Sequence, residues 1–247
     1  MEPQTKSNPV SGHGDEPTKT KTKPRSAKTQ WLQIAAIIVG LILIAATGWW
    51  FWQRFISSPD DLIEIGDLTT VEDWQAALPK LKTRAEKFSA TREDKEKYAQ
   101  ALRVVGDLDG AIKVYEGLDD ALNLGNMYRD KAAKAKTISG TDTPQIQEYL
   151  DQAVTHYRAA IDQDTENTAA VVNLAKILED RKQTDAAVKV YKDAIAQATK
   201  DVSLEMLKSQ LGRLYQRLGK ISEAQAIYKE VLQLNPNNQM AKDGLAE

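Results

Sequence analysis

The chain has 247 residues, enough for one or two domains, and its charged residues, 28% of the total, leave a formal net charge of −2. This near-balance is ordinary for a soluble helical protein and gives no indication of a nucleic-acid partner. The sequence contains no cysteine, which excludes disulfide bonds, thiol catalysis and cysteine-ligated metal.

Residues 1–30 form a polar N-terminal tail rich in Lys, Thr, Pro, Ser and Gly. Val10 is its one strongly apolar residue beyond Met1, so the tail cannot bury enough surface to offset chain entropy and is predicted to be disordered. A basic cluster closes the tail, at Lys19, Lys21, Lys23, Arg25 and Lys28. Such clusters can bind nucleic acid, but one beside a hydrophobic segment favours a membrane-topology signal.

Residues 31–52 form that hydrophobic segment, which contains no charged residue. As a helix it would be roughly 33 Å long, enough to cross the hydrocarbon core of a bilayer. Trp31 stands at one end and a cluster of aromatic residues, at 49–52, stands at the other, as is typical of interfacial belts. The segment is therefore predicted to be a single transmembrane signal-anchor helix.

The charges that flank this segment predict its orientation. Arg54 is the one basic residue that closely follows it, and Asp60, Asp61 and Glu64 come soon after. The positive-inside rule therefore puts the tail in the cytoplasm and the C-terminal domain on the extracytoplasmic side of the cytoplasmic membrane. A cleaved signal peptide is the alternative, which the long basic region and the tryptophans at the would-be cleavage site disfavour.

Residues 53–68 are predicted to be a linker, and residues 69–90 a helical cap or half-repeat. Thr69 and Glu72 offer a capping box for a helix through about Ser89. Pro79 lies inside this helix, and we expect it to kink the helix or to split it in two.

The clearest pattern lies in residues 208–238, which predict two short amphipathic helices and a terminating turn. Gly219 ends the first helix, Ser222 with Gln225 predicts a capping box for the second, and Asn235-Pro236 stops it. The buried faces combine small and large residues, namely Leu211, Gly212 and Tyr215 on the first helix and Ala224, Tyr228, Val231 and Leu232 on the second. We expect Gly212 to pack closely against a neighbouring helix, so that Gly212→Leu overpacks the core.

An Ala–Tyr pair four residues apart recurs in four predicted second helices, at Ala111/Tyr115, Ala153/Tyr157, Ala187/Tyr191 and Ala224/Tyr228. With Leu211, Gly212, Tyr215, Gly219 and Pro236, this pattern resembles the tetratricopeptide repeat (TPR). The resemblance implies an all-α fold, in which the transmembrane helix precedes a TPR-like α-solenoid over residues 91–247.

The repeats are irregularly spaced. Tyr98, Leu124, Leu174 and Leu211, which start successive first-helix patterns, lie 26, 50 and 37 residues apart, whereas the family's period is 34. The second repeat is predicted to carry an insertion between its two helices, around residues 134–145, with Thr143-Pro144 starting the next helix.

In the TPR family the first helices line a concave groove that binds extended peptides or partner helices. The resemblance implies nine groove residues, on three first helices: Asn123, Asn126 and Asp130; Asn173, Lys176 and Asp180; Gln210, Arg213 and Arg217. Asparagine suits this role, because its amide can both donate to and accept from a peptide backbone. The alternative is that these are ordinary polar residues on a hydrated face. Some TPR domains clamp a C-terminal carboxylate with basic residues, and Leu122, Met206 and Gln210 stand where those would be, so no such clamp is predicted.

No set of residues predicts catalysis, a cofactor or a metal site. His13 lies in the tail and His156 on a second helix, each without the neighbouring ligands that a metal requires. The leading hypothesis is therefore a membrane-anchored, non-enzymatic scaffold that binds a protein or peptide partner, in bacterial envelope assembly, secretion or chaperoning. The alternative is a self-associating structural component of a membrane complex.

Overall fold

The computed structural model describes residues 68–246 together with Thr47. Within residues 68–246 the chain forms ten α-helices: α1 (Val71–Ala85), α2 (Arg92–Val104), α3 (Leu108–Glu116), α4 (Ala121–Ser139), α5 (Pro144–Gln163), α6 (Thr168–Asp180), α7 (Thr184–Gln197), α8 (Asp201–Arg217), α9 (Ile221–Leu234) and α10 (Gln239–Ala246). The predicted tail, the predicted transmembrane segment 31–52 apart from Thr47, and nearly all of the predicted linker lie outside the described residues. Among the residues that are described, no helix combines the length and apolar character that crossing a membrane requires.

The helices form a solenoid in which each packs mainly on its neighbours in the chain, with further contacts between α6 and α8 and between α8 and α10. The buried side chains form a core that continues from α4 to α10, preceded by smaller clusters between α2 and α4 and between α1 and α2. The first helices of the successive hairpins are α2, α4, α6 and α8, and the second helices are α3, α5, α7 and α9. For residues 68–246 the prediction of an all-α solenoid is confirmed.

The recurring Ala–Tyr pairs are buried in all four second helices. Each of two rings lies against a glycine of the preceding first helix. A Cβ atom built on Gly125 would lie 2.6 Å from Tyr157 Cε1, and one built on Gly212 would lie 2.6 Å from Tyr228 Cε1. Since only glycine leaves room for these rings, the prediction that Gly212 packs closely against a neighbouring helix is confirmed.

The turn of the last repeat is closed by backbone hydrogen bonds. Gly219 adopts φ +71°, as the sequence predicts, and the Lys220 N–H donates to the Tyr215 carbonyl at 2.9 Å. The predicted Ser222–Gln225 capping box is wrong. The Lys220 carbonyl already accepts from the Ala224 N–H at 3.0 Å, so α9 starts at Ile221 and Ser222 lies inside its first turn.

Helix α1 corrects three further predictions. Thr70 and Asp73 form its capping box instead of Thr69 and Glu72, and the helix ends at Ala85 instead of near Ser89. Pro79 does not split it. The large side chains Trp74 and Leu81, on either side of the proline, are both buried, and their burial can offset the roughly 3 kcal/mol that an internal proline costs.

The predicted insertion lengthens the two helices of its hairpin. Helices α4 and α5 have 19 and 20 residues, compared with 13 and 14 in α6 and α7. Thr143 caps α5 and Pro144 occupies its first turn, as predicted. Most of the inserted residues do not form a loop, because the alanine- and lysine-rich stretch at 131–136 favours helix.

Candidate functional site: the first-helix face

The surface formed by α2, α4, α6 and α8, here called the first-helix face, carries the predicted groove residues. Neighbouring first helices are joined across this face by arginine side chains. The three contacts are Arg103 Nε to Asp130 Oδ2 at 2.7 Å, Arg129 Nη1 to Asn173 Oδ1 at 3.1 Å, and Arg217 Nε and Nη2 to the Glu179 carboxylate at 2.6 and 2.7 Å. The Arg217 hydrogen bond also lowers the pKa of Glu179, which favours its charged form. These contacts hold the first helices in a fixed register.

A hydrogen-bond network joins α4, α5 and α6 at the middle of the face. Asn126 Oδ1 accepts from the Tyr157 hydroxyl at 2.9 Å and from Asn173 Nδ2 at 3.1 Å, and Asn126 Nδ2 donates to Asn123 Oδ1 at 3.3 Å. Burial raises the pKa of Tyr157 to about 12, so the hydroxyl keeps the proton that it donates. The structure therefore brings together all three predicted asparagines, and the Asn126–Asn173 contact joins positions that are 47 residues apart.

The network decides which asparagine can still bind a partner. Both acceptor positions of Asn126 Oδ1 are used within the protein, whereas Asn173 uses one of its two amide N–H donors and accepts one bond, from Arg129. Asn173 thus keeps one donor and one acceptor position, the pair that a peptide unit requires. Asn126 fixes the orientation of that amide and is a positioning residue.

The remaining predicted residues take different places. Asp130 is paired with Arg103, and Lys176 is paired with Asp180 at 2.8 Å, both side chains being 62% exposed. Arg213 is exposed on α8. Gln210 lines a separate pocket of about 310 Å³ between α8 and α10, together with Val202, Met206 and Met240. The nine residues therefore lie on three of the four first helices, but they do not form a single cluster.

A pocket of about 670 Å³ opens beside the asparagine network, because α4 and α5 extend past the end of α6. Its apolar wall is formed by Ala132, Ala133, Ile146 and Leu150. Its polar lining consists of Arg129, Lys136, Asp142, Gln147, Asp180 and Arg181. Arg129 belongs both to this lining and to the asparagine network, so the pocket is continuous with the predicted groove.

Arg181 is the most constrained cation of this pocket. Its Nη1 pairs with Asp151 Oδ1 at 2.8 Å and its Nη2 donates to the Gln147 carbonyl at 3.3 Å. Its Nε–H is buried and has no acceptor within the described part of the chain. A buried donor without an acceptor costs about 1–3 kcal/mol, and because this Nε atom is buried it is closed to a ligand.

The sequence did not point to Arg129 or Arg181. The arginines stand beside predicted groove positions, but only the lengthened α4–α5 hairpin gives them a pocket to line. The alanine-rich stretch at 131–136 was the available signal, since it predicts that the inserted residues continue the helices.

Within residues 68–246 no group of acidic or histidine side chains is arranged to hold a metal ion. His156 on α5 is half-buried. Its ring stacks on Tyr128 with ring centres 5.3 Å apart, and burial lowers its pKa.

Two family models and one solved structure support this architecture. Family models described as tetratricopeptide repeat match residues 147–211 and 207–238, so this part of the chain carries TPR repeats, as the resemblance implied. A thermophilic TPR protein of Thermus thermophilus has the same fold, with a TM-score of 0.50 and 18% identity, over 71% of this chain and 90% of that one. The first TPR domain of the human RPAP3 protein matches with a TM-score of 0.35 and 25% identity, over 50% of this chain and 87% of that one.

One curated relative shares a short stretch with this chain. It is the protein O-mannosyl-transferase tmtc2 of Xenopus laevis, 34% identical over 71 residues, which are 29% of this chain. The match spans only 8% of that relative's length, so it says nothing about its transferase activity in this chain.

Proposed function

We propose that this protein is a non-catalytic TPR scaffold that binds an extended segment of a protein partner on its first-helix face. The observation that carries the proposal is the Asn173 side chain, whose amide is held by Asn126 and Arg129 and still has one donor and one acceptor position. A peptide unit satisfies both positions at once, whatever its sequence. The fixed register of the first helices lowers the entropy cost of forming such contacts.

The proposal includes a place for the protein in the cell. The uncharged segment 31–52 and the basic cluster before it support a single-pass anchor with a cytoplasmic tail and an extracytoplasmic repeat domain. Anchoring would concentrate the binding face at the membrane, which suits a role in envelope assembly, secretion or chaperoning.

The binding proposal can be tested by capture from cells followed by quantitative mass spectrometry. The full-length chain, cross-linked in cells, should recover one dominant partner, and Asn173→Ala should reduce that recovery while Lys189→Gln, an exposed change on α7, leaves it intact. Recovery of the protein itself alone would instead favour the self-associating component. Equal recovery by the wild type and Asn173→Ala would refute the assigned contact.

The orientation can be tested separately, because the chain has no cysteine of its own. Single cysteines replace Ser11 in the tail and the exposed Thr137 at the end of α4. In cells whose outer barrier has been made permeable while the cytoplasmic membrane stays intact, a membrane-impermeant maleimide should label position 137 and not position 11. The reverse pattern would refute the proposed orientation.

A further inference from the structure

The pocket beside Asn173 is placed to receive a side chain of whatever peptide pairs with that amide. Arg129 makes the connection, since its Nη1 donates to Asn173 Oδ1 at 3.1 Å and its side chain lines the pocket. A chain that runs along the network therefore passes the pocket mouth. The pocket exists because α4 and α5 are longer than the other hairpins' helices, so it is a feature of this chain's insertion.

The charges around the pocket are unequally paired. Its two carboxylates each have a lysine partner, Asp142 with Lys136 at 3.1 Å and Asp180 with Lys176 at 2.8 Å. Arg129, in contrast, bonds a neutral amide oxygen, and the nearest carboxylate oxygen, on Asp130, is 3.6 Å away. That same aspartate also bonds Arg103 at 2.7 Å, so one carboxylate is shared by two guanidinium groups and Arg129 is only partly neutralised.

Arg181 also lines the pocket, but its charge is balanced by Asp151 at 2.8 Å and its Nε atom is buried out of reach of a ligand. Guanidinium groups bind carboxylates through charge-assisted N–H bonds, and Arg129, whose side chain is 38% exposed and lines the pocket, is the guanidinium that a carboxylate can reach. The apolar wall of Ala132, Ala133, Ile146 and Leu150 suits the methylene groups that carry a side-chain carboxylate.

We propose that this pocket binds a glutamate or aspartate side chain of the partner, so that the scaffold selects segments with an acidic residue at one fixed position. The inference rests on the proposed peptide-binding function. The carboxylate comes from a side chain, because a peptide unit at Asn173 belongs to a chain that continues in both directions. The other possible source of a carboxylate is the C-terminus of a peptide, and C-terminally amidated peptides distinguish the two sources.

The probe is a phage library of random peptides, selected on the full-length chain in detergent. Selected sequences should share an acidic residue at one position. A synthetic, C-terminally amidated peptide carrying that residue should bind about tenfold more tightly than its Glu→Gln or Asp→Asn counterpart, as expected for a charge-assisted bond. Fluorescence anisotropy measures the ratio of the two dissociation constants.

Three variants assign the preference to the pocket. Arg129→Gln should bring the ratio close to one, Arg129→Lys should retain part of it, and Lys189→Gln should leave it unchanged, because Lys189 lies on α7 and pairs with Asp193. Circular dichroism checks that each variant is folded. Because Lys189→Gln removes the same charge as Arg129→Gln, it separates a local contact in the pocket from a general effect of net charge.

The outcomes distinguish this proposal from the function on which it rests. Peptides that bind without an acidic preference, or a preference that Arg129→Gln does not change, overturn the pocket proposal and leave peptide binding standing. A preference that requires a free C-terminal carboxylate also overturns it. A library from which no peptide is selected overturns the proposed function, and the pocket proposal with it.

Discussion

Gly212→Ala tests the packing on which the repeat architecture depends. The new Cβ would lie 2.6 Å from Cε1 and 2.9 Å from Cδ1 of Tyr228, well inside van der Waals contact. The ring cannot retreat, because Gly244 of α10 lies on its other side and a Cβ built there would be 2.1 Å from Cε2. Its hydroxyl is also held, by a hydrogen bond to Gln216 Oε1 at 3.0 Å.

The expected effect follows from two opposing contributions. Overpacking a buried site costs about 1–3 kcal/mol, and replacing a mid-helix glycine with alanine returns up to about 1 kcal/mol. The free energy of unfolding should therefore fall by about 1–2 kcal/mol, which lowers Tm by roughly 2–8 °C in a protein of this size. Gly212→Leu should cost more.

The assay is urea and thermal unfolding followed by circular dichroism, with Tyr228→Leu as the partner in a double-mutant cycle. Removing the ring should make Gly212→Ala much less costly, so the coupling energy between the two sites should be clearly non-zero. An unchanged or raised Tm in Gly212→Ala would refute the close packing of α8 on α9. Strict additivity in the cycle would show that the cost arises elsewhere.

Three further predictions concern charged and titratable groups. Hydrogen bonds from Thr199 and then Lys200 lower the pKa of Glu166 from 4.5 to about 2, so the contribution of Glu166 to stability should be lost as the pH falls through that range. Glu166→Gln should therefore flatten the pH dependence of the urea unfolding midpoint, and an unchanged slope would contradict this. Burial lowers the pKa of His156 from 6.5, so an NMR titration should give a value below 6.5, and the free energy of unfolding should decline as the histidine is protonated at lower pH. A pKa at or above 6.5 would refute the buried stack of His156 on Tyr128. Arg217→Met breaks the half-exposed ion pair with Glu179 and should lower the free energy of unfolding in urea by about 0.5–1 kcal/mol, and by less in high salt. Arg213→Met is the exposed control, and equal costs in the two variants would contradict the assigned pair.

The core of this fold could be predicted because its determinants are local in sequence. The four-residue spacing of Ala224 and Tyr228 puts both on one helix face, and the match of Gly212 to that tyrosine follows from the order of small and large residues.

The exact start of α1 could not be predicted. Thr69 and Thr70 are equivalent capping residues by type, and each has an acidic residue three positions later.

The site was less predictable, because its contacts join distant parts of the chain. The sequence identifies Asn126 and Asn173 as polar residues on first helices, but not that the Tyr157 hydroxyl uses an acceptor position of Asn126. Nor does it show that Arg129 reaches Asn173, 44 residues away. The division of roles between a contact asparagine and a positioning asparagine therefore depends on three-dimensional geometry.

The central claim, that the first-helix face binds a protein partner, is tested most directly by site-specific photo-cross-linking in cells. A photoreactive amino acid replaces Lys176, which is exposed on α6, or Lys189, which is exposed on α7. The proposed function predicts that position 176 cross-links a single partner, that position 189 does not, and that Asn173→Ala reduces the yield of the cross-link. Equal cross-linking from both positions, or a yield from position 176 that Asn173→Ala leaves unchanged, would contradict it.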